Sequence, residues 1–406
     1  MDGQSGIGER IRQLRQERSP RMTQRELAER AGVSVDVVSK LEQGVKQTAL
    51  IGTLHRIAQA LDVDLSALLA KPARIDTEDG GHGWRAGDSG GTAGVLAIRG
   101  ALTSPYADAE PASVEELRGA TEHAWRSYWS NRFDVLGALL PELIAQTRAA
   151  ADPAVLSDVY GVTASLLVSL GHVDLGYLAM ERALREAERS GDELRPAAVS
   201  GWLSWLLMHQ TGPGPDQAQR LAVAEADRIE PRMGKASPAA VAVWGGLLVS
   251  AAVAAARKDQ ADEADELIHL AEVAAFRLDA GESTVRMDYW RPFGLPLVLM
   301  PATDIAVATG RPSRALELAA RIPPDAEMPE ATRARHLADV ASAQTAMGRD
   351  AKAVDTLLRI ERQAPNWMRY HSYPRTIIRE LLERERRERT PRLRGLAVRM
   401  GIEAAA

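Results

Sequence analysis

Apolar residues recur along this chain at helical spacing. Ile7, Ile11 and Leu14 fall three to four apart, as do Leu27 or Ala28 and Ala31, Val38 and Leu41, and Ile51, Leu54, Ile57 or Ala58 and Leu61. Each set draws one apolar stripe along a helix, and with a short helical turn at residues 65–69 the pattern predicts five helices within residues 1–71. Residues 76–91, Asp-Thr-Glu-Asp-Gly-Gly-His-Gly-Trp-Arg-Ala-Gly-Asp-Ser-Gly-Gly, have too little apolar surface to pack and predict a flexible tether. A short helix is expected over 95–102, within a linker spanning 72–112. Ser113 then caps a long helix reaching Trp129, and from there the pattern is helical to the end. The expected fold class is all-α.

The punctuation between the second and third stripes is the most specific feature. Thr23 with Glu26 three residues later makes a capping box that starts a helix. Gly32 supplies a position free of Cβ strain where two helices must cross steeply, and Ser34 caps the next helix. This spacing predicts a helix-turn-helix. With Val38 and Leu41 inward, Val35, Asp36, Val37, Ser39 and Lys40 face outward, placed to enter a DNA major groove. Val35 and Val37 suit thymine methyls, whereas Asp36 can accept only from cytosine N4 or complement the helix N-terminus.

Residues 1–71 thereby resemble the phage-repressor or XRE-type DNA-binding domain. The resemblance rests on Leu14-Arg15, Thr23-Gln-x-Glu-Leu-Ala-x-x-Ala-Gly-Val-Ser34, Val38-Ser-Lys-Leu-Glu42-x-Gly44 and Thr53-Leu-x-Arg-Ile-Ala-x-Ala-Leu61. It implies that Gln24 holds a phosphate and braces the reading helix, that Val35, Asp36, Val37 and Lys40 face bases, and that Lys46 reaches the backbone. It also implies an internal ion pair between Arg15 and Glu42. The chain departs from the family pattern in a longer first loop containing Ser19-Pro-Arg21, and in Ala49-Leu50 before the fourth helix, where Thr48 is the candidate cap.

Charge supports this division. The net charge is −5, yet residues 1–75 hold 12 Lys/Arg against 9 Asp/Glu, so the first part is mildly basic and the remainder acidic. Arg21, Arg25, Lys40 and Lys46 lie around the proposed reading helix, where phosphate neutralisation needs them. The chain has no Cys, which excludes disulfides, thiolate metal sites and thiol nucleophiles. The polar N-terminus has no signal-peptide pattern, and the longest apolar run, residues 241–256, is short for a membrane span and reads as a buried helix. A cytoplasmic protein is expected, with no cofactor or metal. No phosphate loop, nucleophile elbow or paired-carboxylate arrangement suggests an enzyme.

Beyond residue 113 a unit recurs: a turn, then about five residues later a small or apolar position. That position falls at Leu136, Gly176, Ala218, Ala264, Ala315 and Ala353. Gly171 and Gly348 mark the clearest turns, and Asn131 or Asp259 stands in the glycine's place in weaker copies. Residues 113–373 resemble tetratricopeptide-like helical hairpins, roughly six of them stacking into a solenoid, with 374–406 as capping helices. A repressor-type head on such a body is similar to regulators common in actinomycetes. It implies transcriptional control modulated by whatever the solenoid binds.

Stepping along the first helices of the hairpins turns Trp125, Tyr128, Ser165, Leu203, Leu207, Val249, Met300, Asp304, Arg335 and Ser342 inward. Peptide-sensing relatives clamp a peptide backbone with asparagines, and this chain has only Asn131 and Asn366. A small amphipathic molecule or an apolar helix suits such a face better than an extended peptide. Tyr289, Trp290 and Arg291, and Trp367 and Tyr370, lie in expected inter-helix segments and add candidate ligand or partner contacts, while Trp202 and Trp205 read as core. The arginines between 384 and 394 read as a solvated capping helix. The expectation is a homodimer on double-stranded DNA, its two reading helices about 34 Å apart. The alternative is an interaction scaffold whose head reads no operator.

Overall fold

In the computed structural model, residues 7–17, 22–44, 51–61, 63, 89–104, 109–110, 112–208, 214–232, 234–278, 285–384 and 392–402 are described. The chain divides into two compact units, one formed mainly by residues up to 162 and one by residues 129–131 and 163 onward.

The first unit opens with α1 (Ile7–Glu17), α2 (Gln24–Ala31), α3 (Val35–Glu42) and α4 (Ile51–Ala60). Their apolar stripes converge as the spacing requires, burying Ile11, Leu27, Ala28, Val38, Leu41, Leu54, Ile57 and Leu61. Gly8 lets α1 approach α3 closely, since a Cβ there would lie 1.6 Å from the Leu41 carbonyl oxygen. The expected fifth helix at 65–69, the Thr48 cap and the long first loop lie outside the described residues.

Helix α5 (Ser89–Thr103) is longer than the helix expected over 95–102, and it takes in the last residues of the predicted tether. Gly94 crosses Gly137 so closely that an added Cβ would sit 3.1 Å from the Gly137 Cα, while Val95, Ile98 and Leu102 are buried. Arg148 Nη1 donates to the Ala101 and Ser104 carbonyls at the C-terminal end of α5. The unit also contains α6 (Val114–Trp129), α7 (Phe133–Ala150) and the start of α8 (Pro153–Ser169).

The second unit continues with α9 (Val173–Arg189), α10 (Arg195–Leu207), α11 (Gly214–Arg228), α12 (Pro238–Ala256), α13 (Ala261–Leu278), α14 (Leu295–Ala308), α15 (Pro312–Ala320), α16 (Glu330–Ala346) and α17 (Asp350–Gln363). In this unit α10 pairs with α11, α12 with α13, α14 with α15 and α16 with α17, and the repeat positions Leu136, Gly176, Ala218, Ala264, Ala315 and Ala353 are all buried. Within this unit each first helix packs against the next first helix, α10 on α12, α12 on α14 and α14 on α16. Helix α12 therefore lies at the centre of the core. Longer than the run read from sequence, it meets the length and apolar composition of a membrane span, but 83% of its apolar window is buried by the fold.

The turns obey one rule. Asn131, Gly171, Asp259, Gly310 and Gly348 all adopt positive φ, each five residues before its buried repeat position. The residue after each donates its N–H to the carbonyl five residues back, as in Arg132 to Ser127 and Arg349 to Gln344. This is the Schellman stop of a helix, and Asn and Asp follow glycine in tolerating its left-handed residue.

The expectation of unbroken helix fails at residues 286–293. There β1 (Arg286–Asp288) and β2 (Arg291–Phe293) form an antiparallel hairpin, with Asp288 paired to Arg291 across a two-residue tip. The segment 367–373 is likewise no open connection, because α18 (Pro365–Tyr370) and α19 (Ser372–Glu383) run through it. With α20 (Leu393–Arg399), they share a core with α16 and α17, and Arg399 pairs with Glu361 of α17 at 2.6 Å.

Candidate functional site

Helix α3, the expected reading helix, is held by a three-residue polar brace. Arg15 of α1 grips Glu42 at the end of α3 through two parallel bonds, Nε to Oε1 and Nη2 to Oε2, both 2.7 Å. Its Nη1 donates to the Met22 carbonyl at 2.8 Å, and Gln24 Nε2 of α2 donates to Glu42 Oε2 at 2.7 Å. The Glu42 side chain is only 2% exposed, so its charge is stabilised by these donors rather than by water. Gln24 thus turns its amide toward Glu42 at the end of α3.

The two helix starts are built as their spacing predicts. Thr23 Oγ1 accepts from the Glu26 N–H, and the Glu26 carboxylate accepts from the Thr23 N–H at 2.7 Å. Gly32 closes α2 at φ 62°, and Ser34 Oγ accepts from the Val37 N–H at 3.3 Å. The outer face then presents Arg25, Ser34, Val35 at 44% exposure, Asp36 and Lys40, with Val37 and Ser39 half-buried. Asp36 and Lys40 pair with each other at 2.7 Å, and Gln43 Nε2 donates to Ser39 Oγ. Lys46 lies outside the described residues.

Residues 11–68 match the helix-turn-helix family model. The N-terminal domain is a helix-turn-helix domain of the XRE type. No curated protein matches the chain. A solved structure, the apo form of ComR from S. Thermophilus, is similar at 13% identity and a TM-score of 0.31, covering 83% of this chain and 100% of that one.

Behind the helix-turn-helix domain, the candidate ligand residues fall into separate places. Trp125, 2% exposed, and Tyr128 are packed inside the first unit, with Trp125 against Gly161 and Tyr128 stacked on Phe133. Asp304 and Arg335 bind each other: Asp304 accepts from Arg257 and from Arg335, each at 2.8 Å. Burial pushes the Asp304 carboxyl up, but Arg335 and Arg257 outweigh it and hold it below the usual carboxylate range. Arg335 also reaches Asp339 at 3.3 Å and lies over the Tyr373 ring. Burial pushes Asp339 up to about 7 despite Arg335. Trp367 is buried and stacked on His371, and nothing is described of the Tyr370 side chain. Among the described residues, no cluster of three His, Asp or Glu could hold a metal ion.

The hairpin gathers Tyr289, Trp290 and Arg291, as their adjacency suggests. Tyr289 donates from its hydroxyl to the Asp192 carboxylate at 2.9 Å, and Arg195 stacks on its ring. The Trp290 carbonyl accepts from Trp129 Nε1 at 3.1 Å. Arg291 points inward over a platform of glycines. A Cβ at Gly201 would lie 2.4 Å from its Nη1, and one at Gly245 would lie 2.2 Å from Phe293. Sequence reasoning missed Gly8, Gly201 and Asp192, whose roles depend on distant partners. The Gly245-Gly246 pair inside an apolar run was a readable signal of close approach.

Proposed function

We propose that this chain is a sequence-specific regulator of transcription that binds double-stranded DNA as a homodimer, with affinity set by a ligand or partner held in the helical-hairpin region. The observation that carries the reading is the Arg15–Glu42–Gln24 brace, which fixes a capped helix with its outer face open. Phosphate contacts would come from Arg25, Lys40, Lys46, the free hydroxyl hydrogen of Ser34 and the second amide hydrogen of Gln24. Val35 and Val37 would pack on thymine methyls, with Asp36, Ser39 and Lys40 at neighbouring base edges. Such a protein works in the cytoplasm, on the nucleoid.

Modulation requires only that the effector bind two states of the chain unequally. Tyr289, Trp290 and Arg291 are the ligand-facing residues we favour. Trp125, Asp304, Arg335 and Trp367 already have protein partners, so an effector would reach them by exchange.

One observation favours the scaffold alternative. The exposed charges of the reading helix, Asp36 and Lys40, satisfy each other, and Val35 offers no hydrogen bond. Selection of bound fragments from a randomised duplex pool separates the readings. Enrichment of a two-fold symmetric site with half-sites one helical turn apart is expected, and a pool that stays random after repeated rounds contradicts the regulator reading.

A further inference from the structure

Helix α13 departs from the other second helices of the hairpins. Helices α11, α15 and α17 bury one face on their first helices and expose only charged or polar residues and alanine on the other. On α13 the outer face carries Leu270 at 44% exposure, Val273 at 45% and Phe276 at 57%. Single apolar side chains on a surface need no explanation, but three along one helix face do.

The spacing on this face is regular. Glu266, Leu270, Val273 and Arg277 are all exposed and stand four, three and four residues apart. That alternation is the two-per-heptad seam by which one helix lies along another. Its two central layers are apolar, and its ends are an acid and a base. Asp265 and Glu272 of the same helix are taken up by Arg311 and Arg321, while Glu266 has no partner among the described residues.

The order of the charges says what covers the seam. Turned end for end about a point midway between Leu270 and Val273, the seam meets its own complement. Leu270 then faces Val273 of the second copy, and Glu266 faces Arg277, once on each side of a two-fold axis. A parallel pairing instead sets Glu266 on Glu266 and Arg277 on Arg277, like charge on like. A patch that is self-complementary under a two-fold rotation is what an isologous dimer requires.

We infer that α13 is a self-association surface that joins two copies of this chain antiparallel, through Leu270 and Val273 at the centre and Glu266 with Arg277 at each end. The inference deepens the homodimer reading and rests on it, naming the face where the copies meet. One helix face supports a weak, reversible pair, and two half-sites on one duplex would then hold the copies at high effective concentration.

Sedimentation of the full chain without DNA is expected to move from monomer to dimer over about 1–100 µM. Val273→Glu is expected to weaken the pair by about thirtyfold or more while leaving the thermal midpoint at low concentration unchanged, since the side chain faces solvent in the single copy. Glu266→Arg should weaken it by about tenfold, and Glu266→Arg with Arg277→Glu should restore it. The chain has no Cys, so cross-linking reads the register. An equimolar mixture of Leu270→Cys and Val273→Cys chains should form a disulfide between unlike copies faster than either variant forms one alone. A chain that stays monomeric over this range leaves the face to a different protein and overturns the inference. A dimer unmoved by Val273→Glu, a double charge reversal that fails to restore it, or faster cross-linking within each single variant would overturn it too. Duplex selection on the same preparation keeps the two claims apart. A chain that stays monomeric yet selects a two-fold site sinks only the α13 surface, and one that dimerises through α13 but selects no DNA sinks only the regulator.

Discussion

Glu42 accepts from Arg15 and Gln24 at once while nearly hidden from water, so removing one donor strands charge rather than trimming a contact. Arg15→Ala is expected to destabilise the helix-turn-helix domain by about 3 kcal/mol. Amide exchange across α3 in the full chain checks this: α3 should lose protection while α12 keeps its own, and unchanged α3 exchange would contradict it. Two buried groups in α16 respond to pH in opposite senses. Burial, with Arg333 and Arg359 adding to it, lowers His336 to about 4, so its contribution is present above pH 6.5 and lost as pH falls toward 4. Asp339, raised to about 7, contributes below pH 4 and loses that contribution as pH rises to 7. Asp339→Asn should therefore gain stability relative to the parent as pH climbs from 4 to 7, by thermal melts in matched buffers. A difference constant with pH would contradict the assignment.

At the scale of elements, the hairpin turns offer a graded test. Asn131 and Asp259 stand where Gly171, Gly310 and Gly348 stand, so Asn131→Gly and Asp259→Gly are expected to be neutral or slightly stabilising, whereas Asp259→Val should cost about 1–2 kcal/mol by denaturant midpoint. Equal midpoints for the glycine and valine variants would remove the Schellman rule. The β-hairpin poses the opposite case. Tyr289 at φ 48° and Trp290 at φ 63° are strained, and replacing them by Asn-Gly relieves both but forfeits the hydroxyl bond to Asp192. Trp290→Gly alone keeps both anchors, since Trp129 bonds the 290 carbonyl, and should raise stability by about 1 kcal/mol. A midpoint lowered by more than that would show that ring packing holds the tip against the strain. These elements also show where sequence reading stopped. Helix stripes, caps and left-handed turns are local, and Thr23, Gly32, Ser34, Asn131 and Asp259 announce them within a few residues. The hairpin is not local: Tyr289 and Trp290 make a poor turn by propensity, and distant residues, Asp192, Trp129, Arg195 and the glycines of α10 and α12 among them, hold it.

At the scale of the molecule, the all-α hairpin architecture was legible because a left-handed stop recurs five residues before a buried position, at Asn131, Gly171, Asp259, Gly310 and Gly348. The candidate site was legible unevenly. Both caps followed from spacing and the brace from the resemblance to repressor-type domains, but the mutual pairing of Asp304 with Arg335 and of Asp36 with Lys40 depends on side-chain reach in three dimensions. What the whole chain does follows from whether its braced helix enters DNA. Salt dependence of binding to a selected duplex tests this most directly. The account predicts a steep linear fall of log affinity with log salt, a shallower slope for Lys40→Ala by roughly one unit, and affinity for a scrambled duplex at least about a thousandfold weaker. Equal affinity for selected and scrambled duplexes at every salt concentration would contradict it.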